Sequence, residues 1–450
     1  MSDSVGFLGK PDQGSDGAAA SGLTMDLVRQ FEADPMEALG YTGQGIDVAI
    51  IDTGVSPVQG LHAEGKVLYG PDLSNEGELE NLATLDTYGH GTHIAGIVAG
   101  NDGVEGGFKG MAPDARIVSV KVAGATGETH IAQVIAGIEW VVEHRNSDGL
   151  NIRVVNLSLG RDGILSSAAD PLSAAVERAW DAGIVVVVAG GNRTNASGGL
   201  DSPAVSPYVI ATGALDGRAV RDSVATWSSA GNDGRSPDLV APGKSIVSLR
   251  VPGSTLDQEN PQAVVDGRFM KGSGTSQAAA VMSGSVALLL SADPSLTPDQ
   301  VKYLLVENAN EVDRRSRLLD GAGKVRPDTA AENAGDAVNA PTQTHERALG
   351  ISSWEGIDSW TNGSWNGATW SGGTWSGATW SGATWSGATW SGATWSGSTW
   401  SGATWSGATW SGATWSGATW SGATWSGTTW AGLDATSTAS DLSSTLYEAE

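Results

Sequence analysis

From Gly45 onward the chain alternates short, nearly continuous apolar runs with longer stretches of helical period. The runs Val48–Ile51, Ile117–Val122, Val154–Leu159, Ile184–Ala189 and Val209–Ala211 predict strands. The stretches Gly91–Gly100, Thr129–His144, Leu172–Ala182, Ser276–Ser291 and Pro298–Ala309 predict helices. Strands that alternate with helices in this way predict an α/β fold whose mostly parallel sheet carries helices on both faces. The unbroken run Val185–Val188 fits a strand buried on both of its faces.

Both ends of the chain depart from that rhythm. Residues 1–22 are polar, acidic and glycine-rich, which predicts disorder, and the extension as a whole is read as residues 1–39. Within it, Thr24–Ala33 predicts a short amphipathic helix with Leu27, Val28 and Phe31 on the apolar face, Thr24 as its cap and Pro35 as its stop. The α/β domain is assigned to residues 40–330, and an Ala/Asn/Thr/Asp-rich linker to 331–353. Residues 354–432 hold a five-residue unit, Trp-Ser-Gly-Ala-Thr with small variations, which places 15 tryptophans at strict spacing between Trp360 and Trp430. An acidic tail, 433–450, follows.

A period of five matches neither a helix nor a single strand, so no one stripe of indoles arises from either. A four-sided β-solenoid of about 20 residues per turn would stack each Trp above another, and the bulk of four indoles per layer favours Trp outside. The other reading is a flexible low-complexity tail. Exposed Trp ladders suit stacking on sugar rings, cell-wall polymer or another copy of themselves.

Charge narrows the partners. With 25 Lys and Arg against 50 Asp and Glu, the formal net charge of −25 disfavours nucleic acid and anionic membrane surfaces. No stretch reaches the ~20 apolar residues of a membrane span. The chain has no cysteine, which rules out disulfides and thiolate metal sites and fits many secreted bacterial proteins. Met1–Gly22 has neither the basic start nor the apolar block of a signal peptide. The expectation is a secreted or cell-surface bacterial protein, with an intracellular location left open.

Three distant segments carry chemistry: Ile51-Asp52-Thr53-Gly54, Gly89-His90-Gly91-Thr92-His93 and Gly274-Thr275-Ser276-Gln277-Ala278. A hydroxyl nucleophile needs an adjacent imidazole to take its proton, and the imidazole needs a carboxylate to fix its tautomer. Small neighbours let backbone and substrate come close. Asp52 follows one predicted strand, Asn192 another, and Asn156 and Ser158 end a third, where an open α/β sheet forms its crevice. His90 and Ser276 each open a predicted helix, and a helix N-terminus offers free N–H groups to a developing oxyanion.

The order Asp…His…Ser is the known order of subtilisin, so the assignment borrows that template. From about Gly40 to about Ala309 the chain resembles the subtilisin-like serine peptidases, the subtilase family. Tyr41-Thr42-Gly43-Gln44-Gly45, Gly110-Met111-Ala112-Pro113, Asn156-Leu157-Ser158-Leu159-Gly160, Ala189-Gly190-Gly191-Asn192 and Leu239-Val240-Ala241-Pro242-Gly243 stand in the family's order. The resemblance implies a three-layer subtilisin-like fold and a serine endopeptidase acting on proteins or peptides through an acyl-enzyme. It implies Ser276 as nucleophile, His90 rather than His93 as base, Asp52 as its partner, and Asn192 as oxyanion donor, where the plainer reading is a turn Asn. Ser158, Leu159 and Gly160 resemble one substrate-pairing edge, and Gly124–Gly127 the opposite one.

Several finer points follow from the resemblance. Asp201 lies where a pocket wall selecting Lys or Arg would stand, or else it caps a turn, binds a cation or faces water. After Ser276 the family usually has Met-Ala-Ser-Pro, whereas this chain has Gln277-Ala278-Ala279-Ala280, which leaves room near the nucleophile. No cofactor is expected for the chemistry. Structural calcium is common in the family, but the acidic loops at Asp102 and at Asp72 to Glu80 give no ligand set to assign. The family's pro-domain needs more chain than the stretch before Tyr41, and export is the family habit. A rival function is a surface-binding or self-assembling protein that works through its Trp repeat, with the peptidase as accessory.

Overall fold

The computed structural model describes residues 4–7, 10–11 and 24–341, apart from gaps at 80, 162–169, 195–198, 217–222, 233 and 313–315. Beyond these it describes short strands between 360 and 436. The chain divides into two units, Met1–Glu346 and Arg347–Glu450.

The first unit opens with two short strands, β1 (Ser4–Phe7) and β2 (Lys10–Pro11), then helices α1 (Met25–Glu32) and α2 (Asp34–Ala38). Its body follows as β3 (Asp47–Asp52), β4 (Val67–Asp72), α3 (His90–Ala99), β5 (Arg116–Lys121), β6 (Glu128–His130) and α4 (Ile131–His144). Next come β7 (Ile152–Leu157), β8 (Leu159–Gly160), α5 (Pro171–Asp181), β9 (Val185–Ala189), β10 (Ile210–Leu215), β11 (Leu239–Pro242) and β12 (Ile246–Leu249). The unit continues through α6 (Thr255–Glu259), β13 (Val264–Val265), β14 (Phe269–Ser273), α7 (Thr275–Ala292), α8 (Pro298–Glu307), α9 (Arg317–Asp320) and α10 (Pro327–Glu332).

Seven strands form one parallel sheet in the order β11-β10-β9-β7-β3-β5-β4, an α/β architecture. The chain begins the sheet at β3, builds β4 and β5 on one side, and then crosses to β7 on the other. That reversal opens a crevice at the carboxyl ends of β3 and β7. Asp52 ends β3, and Ser158 follows β7.

Alternation along the strands assigns the two faces. Ile50 and Asn156 are register partners and share a face. Asn156 accepts from Ser283 of α7 at 3.0 Å, so this face carries α7, which packs on α3. Ile51 points the other way, where a Cβ on Gly137 of α4 would lie 3.2 Å from its methyl, and α4 packs on α5. Strands β3, with its apolar run Val48–Ile51, and β9 are buried throughout, as a sheet covered on both faces requires. Although α7 has the length and apolarity of a membrane span, 89% of it is buried inside the fold.

Several expectations need correction. The helix at Thr24 forms with Val28 buried as expected, but Leu27 is exposed at 49%, Met25, Arg29 and Glu32 are buried as well, and the Phe31 side chain lies outside the described residues. Arg29 reaches the carbonyls of Gly110 and Met111, so a polar contact anchors the helix where an apolar stripe was expected. Thr24 makes no side-chain cap, and Pro35 sits in the first turn of α2, where a missing N–H costs nothing. The expected linker starts too early, since α10 reaches Glu332 and a 3₁₀ helix covers Ala334–Asn339.

The largest correction is at the start of the chain. Ser4–Phe7 and Lys10–Pro11 pair as strands, although composition predicted disorder there. Pairing through main-chain groups needs no apolar side chains, so a polar composition does not forbid it.

The second unit is described by itself. Short strands recur every five residues, from β15 (Trp360–Thr361) and β16 (Ser364–Asn366) to β30 (Asp434–Thr436). Each pairs in parallel with the strand four units on, as in Trp365 with Trp385, Trp385 with Trp405 and Trp405 with Trp425. The result is four sheets of four strands. The expected outward direction of the indoles and the Gly corners between strands lie outside the described residues.

Candidate active site

Two glycines allow the end of β3 and the start of α3 to meet. Gly89 takes φ +103°, a left-handed conformation that turns the chain into α3. Gly91, in the helix's first turn, faces Asp52; a Cβ there would lie 3.2 Å from the Asp52 side chain and press into the carbonyl of Gly54. This approach sets Nδ1 of His90 at 2.9 and 3.0 Å from the two carboxylate oxygens of Asp52. Both side chains are buried, Asp52 completely.

A second buried carboxylate, missed in the sequence, holds the pair in place. Asp86 Oδ1 accepts from the Gly89 N–H at 2.6 Å and from the Thr53 hydroxyl at 2.7 Å, and Oδ2 accepts from the Thr92 N–H at 2.7 Å. Gly89 cannot cap α3 with a side chain, so Asp86 supplies the anionic cap from outside the helix. Thr53 completes the link, accepting from the Gly91 N–H at 2.9 Å while its own N–H donates to Asp52 Oδ1 at 2.7 Å. Burial pushes the Asp86 carboxyl up from its ordinary range, against the pull of its N–H and hydroxyl donors. The only sequence signal was an Asp three residues ahead of the Gly-His-Gly turn.

Ser276 stands in the first turn of α7 and is fully buried. Its hydroxyl donates to the Ser158 carbonyl at 3.0 Å, and the Ser158 hydroxyl donates back to the Ser276 carbonyl at 3.2 Å. Behind this exchange, Asn156 Nδ2 donates to Ser158 Oγ at 2.9 Å and Asn156 Oδ1 accepts from Ser283 at 3.0 Å. Ser283, a neighbouring serine of no assigned part, thus ends a buried polar chain that ties β7 to α7 beside Ser276.

Asn192 is drawn to the same helix start. Its Oδ1 accepts from the Thr275 N–H at 2.9 Å and from the Thr275 hydroxyl at 3.1 Å. Gly191, at φ +114°, gives the Cβ-free turn that brings it there. Asp201 forms an ion pair with Arg193 at 2.5 Å, so its charge is already matched within the protein.

The two expected edges fare differently. Leu159 and Gly160 form β8, directly after Ser158. Gly124–Gly127 is a turn closed by a 2.9 Å hydrogen bond, with Gly127 at φ +68°, and Gly124 packs against Asn75 and Glu76. The residues after this turn, Glu128–His130, form β6, which pairs with β1. For calcium, no group of three His, Asp or Glu able to hold a metal occurs among the described residues. The acidic loops are engaged otherwise: Asp102 with Arg268, and Glu76 with Lys121 at 2.7 Å.

His93, one helical turn beyond His90, faces β14 and donates from Nε2 to the Met270 carbonyl at 3.1 Å. Burial, with His90 nearby, lowers its pKa to about 4, so it stays neutral where free imidazole would titrate. The unfolded chain therefore binds one more proton than the folded chain between pH 6.5 and about 4. Stability of a Ser276→Ala chain should rise with pH across that window by about 3 kcal/mol, with no further His93 contribution above it. Urea titrations at several pH values should show this slope flattened in His93→Gln. An unchanged slope would assign the proton uptake to other groups.

Comparison with known proteins places the chain in a family. The subtilase family model matches residues 43–333. The chain is 38% identical over 305 residues to serine protease AprX of Bacillus subtilis (strain 168), covering 65% of this chain and 66% of that protein, just under two thirds. It is 34% identical to subtilisin DY of Bacillus licheniformis, covering 67% of this chain and 96% of that protein. It is 32% identical to an alkaline protease of Alkalihalobacillus alcalophilus, covering 67% and 68%. A family match of this extent, over the segments that build the crevice, means that the chain belongs to the subtilase family of serine endopeptidases.

Proposed function

We propose that the chain hydrolyses peptide bonds in proteins through an acyl-enzyme on Ser276. The observation that carries this reading is the buried contact of His90 Nδ1 with both oxygens of Asp52. A carboxylate at Nδ1 keeps that nitrogen protonated, which presents Nε2 as the base. Ser276 attacks the peptide carbonyl, His90 takes its proton, and the leaving amine receives that proton as the C–N bond breaks. Water then attacks the acyl ester by the same route in reverse. Asp52 stabilises the imidazolium that forms in each step, an effect strengthened by low local dielectric.

Asn192 acts with the Ser276 N–H on the tetrahedral oxyanion. Tying Oδ1 to Thr275 orients the amide so that Nδ2 serves the ligand side. Substrate lies extended between β8 and β6, gaining main-chain hydrogen bonds from both. The small residues Ala278–Ala280 in the turn after Ser276 leave the acyl group accessible to its acceptor.

The repeat is a four-sided coil in this reading. Its support is the parallel register, in which Trp380 pairs with Trp400 and Trp400 with Trp420, a step of 20 residues. The repeat, rich in tryptophan, serves in this reading as a binding surface for polysaccharide or cell-wall polymer, and the enzyme works close to that polymer.

Ser276→Ala should abolish labelling by a fluorophosphonate and remove nearly all hydrolysis while unfolding stays cooperative. Residual turnover of ~10³–10⁴ over water would persist from the oxyanion site and binding. Asn192→Ala should lower kcat by ~10²–10³ with little change in KM. Labelling at another serine, or a KM effect alone for Asn192, would refute these roles.

The segment 351–450 expressed alone should give β-type circular dichroism, slowed amide exchange and co-sedimentation with insoluble polysaccharide. Random-coil spectra with unprotected amides would end the coil reading.

A further inference from the structure

Beyond Gly160 the chain of β8 runs on into a second pairing. Arg161 and Ser202 exchange main-chain hydrogen bonds at 3.1 and 3.0 Å. Beside Ser202, the Asp201 N–H donates to the Gly190 carbonyl at 3.1 Å. The stretch Leu200–Ser202 therefore spans from β8 to the turn Gly190-Gly191-Asn192. A peptide with its backbone along β8 and its carbonyl oxygen on Asn192 is flanked by these two elements. The side chain of the residue before the scissile bond enters the gap between them.

Asp201 stands at the end of that gap. Its carboxylate lies against the bare Cα of Gly191, where an added Cβ would press into Oδ2. Only 3% of Asp201 is exposed, and a carboxylate so buried needs a matching charge. Arg193 supplies it, with Nη2 at 2.5 Å from Oδ1 and a further bond to the Gly199 carbonyl at 3.3 Å. The backbone fixes Arg193 there, because its N–H donates to Ser229 Oγ at 3.1 Å and the Ser229 N–H donates to the Gly191 carbonyl at 2.9 Å. The next acid, Asp170, accepts from the Ser202 hydroxyl and lies 3.7 Å from Arg161. The gap thus ends on a matched ion pair, with the acid already served by a cation of the chain itself.

We propose that Arg193 is a specificity-determining residue that holds the acid site at Asp201, so that the enzyme cleaves after uncharged residues and refuses lysine and arginine. The proposal rests on the reading of this crevice as the peptidase site. A substrate lysine would meet the Arg193 guanidinium and would have to displace it from Asp201 to gain a partner. An uncharged side chain requires no such exchange. An acidic one would compete with Asp201 for a guanidinium already engaged. Selection against basic residues is therefore the work of one side chain, and the acid beneath it is a latent site for them. With Arg193 replaced by an uncharged residue, Asp201 would take its cation from the substrate. A charge-assisted hydrogen bond of that kind is worth ~10–100-fold in kcat/KM.

The test uses the full-length chain and peptide pairs that differ only in charge before the scissile bond, lysine against norleucine and glutamate against glutamine. In the unaltered chain kcat/KM should favour norleucine over lysine by at least ~10-fold. Arg193→Met should move the lysine-to-norleucine ratio ~10–100-fold towards lysine, and adding Asp201→Asn should cancel that shift. Arg193→Lys, which keeps the cation, should leave the ratio unchanged. Asp201→Asn alone is nearly isosteric and does not depend on Arg193→Met folding. It should move the glutamate-to-glutamine ratio ~10-fold towards glutamate, because Arg193 then lacks its carboxylate. An unaltered chain that prefers lysine, or ratios that stay the same in Arg193→Met and Asp201→Asn, would overturn the proposal. Fluorescent peptides ending at the selected residue, added to the same chains carrying Ser276→Ala, read affinity by anisotropy without any catalysis. The same shifts in affinity support the proposal even if Ser276 is not the nucleophile. Equal affinities across the chains, or no binding of either member of a pair, refute it.

Discussion

A buried carboxylate against a buried imidazole is the constraint on which the rest of this site depends. Such a pair is tolerated only with fixed geometry and satisfied partners, since an unpaired charge at 0% exposure costs several kcal/mol. Asp52 therefore needs His90 and the Thr53 N–H, and His90 needs α3 to start at one place. Gly89 and Gly91 permit that start, and Asp86 caps it. The parallel sheet sets the other half, because β3 ends where the strand order reverses and a crevice opens.

The same logic operates across the crevice. Ser283, Asn156 and Ser158 form a chain of buried hydrogen bonds that ends on the residue carrying the proposed nucleophile. Each group leans on the next, so the loss of one orphans another and is felt at Ser276. Rigidity of this kind suits chemistry that depends on preorganised donors. It also leaves the edges β6 and β8 as the places where a flexible chain can enter and leave.

Local signals made much of the fold and the chemistry legible. The Val run of β9 and the apolar run of β3 declared buried strands, and strand–helix alternation declared the parallel sheet. Asp52, His90, Ser276 and Asn192 stood out through their glycine-rich settings; the structure joins Asp52 to His90, and draws Asn192 to Thr275 beside Ser276. What escaped depends on contacts distant in sequence. Asp86 acts on a helix it does not belong to, so no capping pattern at Gly89 revealed it. Gly124–Gly127 closes a turn and the strand begins only at Glu128, a distinction that composition does not make. Leu27 looked like a core residue, yet the helix is anchored by Arg29 on backbone carbonyls. Ser4–Phe7 and Lys10–Pro11 read as disordered because composition reports on side chains, whereas their pairing is a main-chain matter.

If the Asp52–His90 contact governs the site, it must fix the imidazole tautomer before substrate arrives. The most direct measurement is nitrogen-15 NMR of histidine-labelled full-length chain at neutral pH, assigned with His90→Gln and repeated in Asp52→Asn. The account predicts that His90 carries its proton on Nδ1 and leaves Nε2 unprotonated, and that Asp52→Asn reverses this. A His90 protonated on Nε2 in the unaltered chain, or a tautomer indifferent to Asp52, would contradict it.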